Sequence, residues 1–422
     1  MKQLEQRTGR FNEIFESEYF KYSILFITLF FSSSIDIVSK IPVINSLKNL
    51  FFTLIPIILC YYMVKNRQVK KDINIIFMVL CGFSLISLIW SISLIDTLKS
   101  CILLIGTTVI GVYISKNYSK EELMKKLLTW FFIIVVINLI LVFLKVSSVY
   151  QLDDNRYDNA IRGIFKHRNS LGLYMSIGIS IALWFSLEYK DKRNRQIAGV
   201  VIAGGTFLIY SSKSMTSLIL GVFITFLVFV TRYKKINIIL CYSIIPIILI
   251  STYILIFTPE WFKDILQIMG RNSTLTGRSV IWAGVVTAIF YKPILGFGFG
   301  AFWTINPYSV LFVLSKYKTE LPVNSHNGYL DLTLEFGLLG AILIAIWIVI
   351  MIKKIIKLSR EKEVKDYKYI SYVMAYFIFL LIFNLVESSF MKPCNTSYIL
   401  LIIFTNMLFG KYTGSISREG RI

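Results

Sequence analysis

Residues 324–357 read NSHNGYLDLTLEFGLLGAILIAIWIVIMIKKIIK. A polar stretch ending at Asp331 runs into an apolar segment, which closes on Lys353, Lys354 and Lys357. About 20 apolar residues at helical rise cross a hydrocarbon core of about 30 Å, so this segment reads as a membrane helix with a water-facing loop before it. The same pattern recurs along the chain. We place about twelve spans near 20–38, 48–64, 74–92, 97–115, 127–145, 169–187, 196–211, 215–231, 237–256, 327–351, 369–388 and 397–410. The composition agrees: 56% hydrophobic, 15% aromatic and 16% charged, with a mean hydropathy of +0.68. A soluble protein needs far more charge to cover its surface. The expected fold is an all-α integral membrane protein, a single polytopic domain over 1–422 with a large extracytoplasmic loop.

The net charge of +21 raises the question of nucleic acid, and its distribution answers it. With the N-terminus inside, the basic groups gather in inner loops: Lys65/Arg67/Lys70/Lys71, Lys116/Lys120/Lys125/Lys126, Lys190/Lys192/Arg193/Arg195, Arg232/Lys234/Lys235 and the run from Lys353 to Lys368. This is the positive-inside pattern, so the charge is topological and implies no nucleic-acid partner. Both termini are expected in the cytoplasm, and the first twenty residues carry no pattern of a cleavable signal. Cys60, Cys81, Cys101 and Cys241 fall within apolar runs and Cys394 stands alone, so neither a disulfide framework nor a metal site is expected.

Two outer segments break the rhythm of short loops. The first, 146–168, holds Asp153, Asp154, Arg156, Asp158, Arg162, Lys166, His167 and Arg168. The second, 257–326, is too long for a passive linker. Its Phe262, Ile265, Leu266 and Met269, and then Trp282, Val285 and Ile289, recur at helical spacing and predict amphipathic helices on the outer face. Pro293, Gly296, Gly298 and Gly300 mark tight turns rather than a nucleotide-binding fingerprint, since no βαβ context surrounds them. The tryptophans Trp261, Trp282 and Trp303 read first as interfacial anchors and second as sugar-stacking platforms.

The chain has only two histidines, His167 and His326, and both fall in these outer segments. A proton acceptor near neutral pH, placed where a loop enters a membrane helix, suits chemistry on a substrate held at the bilayer surface. The alternative is a headgroup-level anchor. Arg162, Lys213, Arg271 and Arg278 are outer cations of the kind that hold phosphate oxygens and stabilise a leaving group. Contact with lipid headgroups is the competing reading for each. Gly337 lies eleven residues beyond His326, about three helical turns on, where it would clear space along the histidine's stripe. Asp331 and Glu335 are one turn apart. They would pair with outer arginines or stay a solvated pair favoured by the helix dipole, and Glu335 points away from His326.

Four segments in order resemble the O-antigen ligase/O-antigen polymerase superfamily of bacterial membrane glycosyltransferases. They are Arg162-Gly-Ile-Phe-Lys-His-Arg-Asn-Ser-Leu-Gly; Ser212-Lys213-Ser214 opening a span; Leu275-Thr-Gly-Arg278-Ser-Val-Ile-Trp282 followed by Pro293-Ile-Leu-Gly-Phe-Gly; and His326-Asn327 with Gly337 and Gly340. Together they cover about 160–340. The resemblance implies a GT-C-like helical bundle in the cytoplasmic (inner) membrane, with an active site facing the periplasm or exterior. It implies an inverting glycosyl transfer that uses no metal and no cofactor, from an undecaprenyl-diphosphate-linked oligosaccharide. In that reading His326 deprotonates the acceptor hydroxyl, while Arg278 and the hinge cation hold the diphosphate. The family's ligases often carry arginine at this hinge, where Lys213 stands here. Partners would be the lipid-linked oligosaccharide, membrane lipids and a chain-length regulator.

The texts around Arg278 and His326 look more like those of surface-polysaccharide polymerases (O-antigen, capsule or exopolysaccharide) than those of ligases acting on lipid A-core. A lipid-linked-sugar flippase is the rival from another class, but it calls for charges deep in the spans. Asp36, Lys99 and Glu387 all lie near predicted span ends.

Overall fold

A computed structural model describes residues 13–32, 34–66, 75–151, 159–257, 264, 278–304, 323–361 and 367–409. Its helices are α1 (Glu18–Ser32), α2 (Asp36–Lys40), α3 (Pro42–Lys65), α4 (Ile75–Ile86), α5 (Leu94–Asn117), α6 (Lys120–Phe143), α7 (Arg168–Glu188), α8 (Lys192–Ser211), α9 (Met215–Val230), α10 (Lys234–Phe257), α11 (Arg278–Tyr291), α12 (Gly328–Arg360), α13 (Tyr367–Phe383) and α14 (Thr396–Phe409). Among the described residues the only β pairing is two isolated bridges, Ile35 with Phe165 and Tyr150 with Ile161.

Each expected span falls on a helix. Six of them, α3, α5, α6, α7, α10 and α12, are long and apolar enough to cross a membrane. The other six coincide with α1, α4, α8, α9, α13 and α14, which are shorter or less apolar, so a membrane crossing for these rests on the sequence expectation alone. The expected helix through Trp282, Val285 and Ile289 is present as α11, but it does not lie free on a surface. Trp282 and Val285 are buried against Phe302, Leu330 and Leu334. The first set, Phe262 to Met269, lies outside the described residues, as does most of the 257–326 segment.

The bundle has a dense centre and an exposed rim. In α7, 72% of the apolar window is buried, against 11% in α10. α7 packs on α8, α9 and α6, while α10 rests chiefly on α12. A rim helix that presents Ile239, Leu249, Ile250 and Tyr253 outward is stable only in an apolar surround. Some polar groups inside the bundle pair across helices. Ser32 Oγ meets Thr396 Oγ1 at 2.8 Å, and Thr396 is also bonded to Tyr174.

α12 is two helices joined at a break. Gly337 has φ +64° and ψ −161°, a conformation essentially reserved for glycine. The turn 293–300 fills the break. Phe297 N–H donates to Leu334 O (3.0 Å) and Gly298 N–H to Glu335 O (2.9 Å), while Leu338 N–H donates to Pro293 O (2.7 Å). Leu334 O, Glu335 O and Leu338 N–H, three groups, would otherwise be orphans of the interrupted ladder. A Cβ on Gly337 would stand 2.3 Å from the Ile294 carbonyl carbon and oxygen, and one on Gly296 would stand 2.6 Å from Gly337 N. The turn expected at 293–300 is therefore present, but Gly337 does not clear space for a histidine. It admits the turn.

Candidate active site

The first turn of α12 carries the site. Asn327 is its N-cap, and its side-chain oxygen accepts from the N–H groups of Tyr329 (3.0 Å) and Leu330 (3.1 Å), as expected of a capping asparagine. The preceding His326 has φ +53°, a left-handed conformation that costs a non-glycine residue on the order of 1–3 kcal/mol. The surroundings hold it there. Its N–H donates to Asn324 Oδ1 (2.9 Å), and Trp282 Nε1 donates to Ser325 O (2.8 Å). Ser325 N–H donates to Asp331 Oδ1 (3.0 Å), and Gly328 N–H to Asn384 O (2.8 Å).

The imidazole turns toward the loop between α13 and α14. His326 Nδ1 lies 3.0 Å from Glu387 Oε2, and the other carboxylate oxygen accepts from Arg278 Nη2 at 2.9 Å. Arg278 Nη1 donates to Val386 O (2.6 Å). Asn384, fully buried, shapes the loop that presents Glu387. Its side-chain oxygen accepts from the N–H groups of Ser389 (2.9 Å) and Phe390 (3.0 Å). Burial pushes the Glu387 carboxyl up, but the His326 hydrogen bond and the Arg278 guanidinium outweigh burial and hold it below the ordinary carboxylate value. An ionised carboxylate can only accept, so the proton between the two groups sits on Nδ1, and in the neutral imidazole the free lone pair is on Nε2. The histidine side chain is 36% exposed. A base oriented by a carboxylate and open on its other nitrogen can take a proton from a substrate hydroxyl.

Several expected residues meet here, in corrected roles. Arg278 reaches the centre, but its described contacts go to Glu387 and Val386 rather than being left for a ligand. Asp331 has no arginine partner among the described residues. It receives Trp303 Nε1 (3.1 Å) and Ser325 N–H and is bonded to Ser388, so it holds the histidine turn closed. Glu335 faces the glycine turn, where it accepts the Gly300 N–H. Trp282 is fully buried and therefore serves as a strut rather than a sugar platform or interfacial anchor.

Other expected residues sit apart. Arg162 is ion-paired with Asp36 at 3.0 Å, both side chains mostly buried, and its guanidinium also reaches the Lys166 carbonyl at 3.3 Å. Its charge is committed to fixing loop 159–168. Lys213 occupies the α8–α9 hinge with φ +51° and an exposed side chain, beside a cavity of about 500 Å³ lined by Asn159, Tyr210 and Met215. Arg168 is buried and donates to the Lys213 carbonyl at 2.7 Å, which ties this hinge to the start of α7. Arg271 lies outside the described residues.

One partner of the site, Glu387, was given no role by the sequence, and His167 was placed in an outer segment without one. Glu387 was visible only as a carboxylate near the end of a span, and no periodicity links it to His326 across 61 residues. His167 comes to the same mouth: its ring feels the charges of Arg168, Glu387, His326 and Arg278. Its Nδ1 accepts the Asn169 N–H (3.2 Å), capping α7. Burial, Arg168 and the other cations push this imidazole below its ordinary value, against the opposing pull of Glu387.

The site and bundle define a polytopic helical membrane protein with a carboxylate-oriented histidine at one end. Residues 197–345 match the family described as O-antigen ligase. The chain is 21% identical over 293 residues to the exopolysaccharide production protein ExoQ of Rhizobium meliloti, covering 67% of this chain and 66% of that protein. It is 23% identical over 280 residues to a ComP-specific O-oligosaccharyltransferase of Acinetobacter baylyi (64% and 49%). It is 27% identical over 241 residues to a putative polysaccharide ligase of Rickettsia conorii (53% and 55%). The chain thus aligns with between about half and two thirds of the length of these curated relatives. These matches show what the chain is similar to: the O-antigen ligase/O-antigen polymerase superfamily.

Proposed function

We propose that the chain is a glycosyltransferase that moves a glycan from undecaprenyl diphosphate to the hydroxyl of a lipid-linked repeat unit, at the outer face of the cytoplasmic membrane. The carrying observation is the Arg278–Glu387–His326 relay, which leaves Nε2 open at one end of the bundle. In this reaction Nε2 takes the acceptor hydroxyl proton, and the oxygen bonds to the anomeric carbon from the face opposite the leaving group. The glycosyl–phosphate bond breaks with its electrons on the diphosphate. The anomeric configuration inverts, and no step calls on a metal or cofactor. Arg278 and Lys392, both felt by Glu387, supply positive charge where the diphosphate departs, and Lys166 stands close enough to Lys392 to feel its charge. Lys213, Arg162 and Arg271 are secondary candidates for the diphosphate, with Arg162 weakened by its bond to Asp36.

The second reading is a ligase, in which the same bond breaks and the acceptor is lipid A-core or another molecule. The names of the Acinetobacter and Rickettsia relatives favour it, while the motifs around Arg278 and His326 favour the polymerase. A flippase is disfavoured because the relay gathers at one end of the bundle. The test is the size distribution of lipid-linked and surface glycan in cells carrying His326→Ala at matched protein level. Accumulated single repeat units with loss of long chains are the expected result. Long chains retained on the lipid carrier would instead indicate the ligase, and unchanged glycan in both pools would remove the histidine from the chemistry.

A further inference from the structure

At the end of α12 far from His326, Lys353, Lys357 and Arg360 stand at i, i+4 and i+7 and so share one face. Val349, Ile352 and Ile356 form an apolar floor beside them, and Cys241, Tyr242 and Ile245 of α10 make the opposite wall. The cleft between them has a volume of about 730 Å³. Tyr242 is 63% exposed and Ile245 37%, so the described protein leaves this wall open. Glu361 is the one carboxylate lining the cleft, and its backbone carbonyl takes the Lys234 ammonium at 2.7 Å. Among the described residues, Lys353, Lys357 and Arg360 form no ion pair with Glu361 or any other carboxylate.

We infer that this cleft is a binding site for an anionic phospholipid of the surrounding bilayer, with its phosphodiester on Lys353, Lys357 and Arg360 and its acyl chains along the α10–α12 floor. Retention of inner basic residues for topology explains their sign but not the cleft. Three cations spread over about 10 Å of helix above an apolar trough match a charged headgroup above acyl chains. The occupant also serves the fold. α10 is the least buried of the long helices and rests chiefly on α12, so a lipid seated between them adds contact area where the protein supplies little.

The test uses the full chain in detergent, titrated with phosphatidylglycerol or with phosphatidylcholine and read by native mass spectrometry. Phosphatidylglycerol should be retained preferentially, and the triple variant Lys353→Gln/Lys357→Gln/Arg360→Gln should weaken that retention by roughly a hundredfold. The loop keeps Lys354, Lys362, Lys365 and Lys368, so its topological bias survives. A control triple, Lys190→Gln/Lys192→Gln/Arg193→Gln, removes the same charge from exposed positions just before and in the first turn of α8 and should leave retention unchanged. Equal retention of the two lipids, equal loss in the control, or no loss in the first triple variant would each overturn the site. None of these readings depends on glycosyl transfer.

Discussion

His167 and His326 stand at equivalent places, each at the threshold of a long apolar helix, and the chain uses them in opposite ways. His167 is itself the N-cap of α7: its Nδ1 accepts a backbone N–H, which commits the ring as a neutral acceptor. At α12 the capping is done by Asn327, one residue later, and His326 is freed to donate from Nδ1 to Glu387. The same side chain is structural where it satisfies the helix and chemical where a neighbour satisfies the helix for it. The difference is set by one position of register at a helix start.

The comparison breaks most directly by deletion. His326→Ala should lower glycosyl transfer by about 10²- to 10⁴-fold, the usual worth of a general base, while His167→Ala should stay within about tenfold. Transfer rates of the purified variants decide it, and a larger loss at His167 would reverse the assignment. Glu387→Gln comes next, with a loss of about a hundredfold, since the amide keeps the shape but not the charge that orients Nδ1–H. It should also change acid unfolding. The Glu387 carboxyl is held below its ordinary value of 4.5, so its contribution is complete above that value and lost as pH falls through the lowered one. In Glu387→Gln that part of the acid transition should disappear.

Gly337→Ala should sharpen the contrast from the side of stability. It forces a Cβ into the Ile294 carbonyl at a positive φ, and a loss of about 2 kcal/mol or more in thermal unfolding is expected. The smallest effect belongs to the cap. His167→Ala should cost about 1 kcal/mol, and His167→Asn should restore most of it because asparagine caps well. The His167 imidazole is pushed below its ordinary 6.5, so wild type should lose this stabilisation as pH falls from 6.5 through the lowered value. His167→Asn should show no such dependence, and equal pH profiles for the two proteins would contradict the capping role.

The helices were legible because apolar runs of membrane length leave the backbone no other way to satisfy itself. Their ends were less so. The run expected to stop at 351 continues as α12 to Arg360, and the one expected to reach 388 stops at Phe383, where buried Asn384 starts the loop of the relay. His326 stood out from its place beside a span, and Arg278 as a cation within the outer segment 257–326. Glu387 did not, because an ion pair between distant loops leaves no local pattern. Arg162 and Arg278 were read as free cations for a related reason: sequence shows a charge but not the carboxylate that answers it, here Asp36 and Glu387.

Asp331 has one more consequence, for how this end of the molecule can change. Trp303 and Ser325 both bond to its Oδ1, so the chain leaves and re-enters the site at the same carboxylate. One carboxylate thus ties Trp303 on one side and the histidine turn on the other. A change at Asp331 would release both together, so whatever disturbs either partner reaches the reactive imidazole through a single side chain.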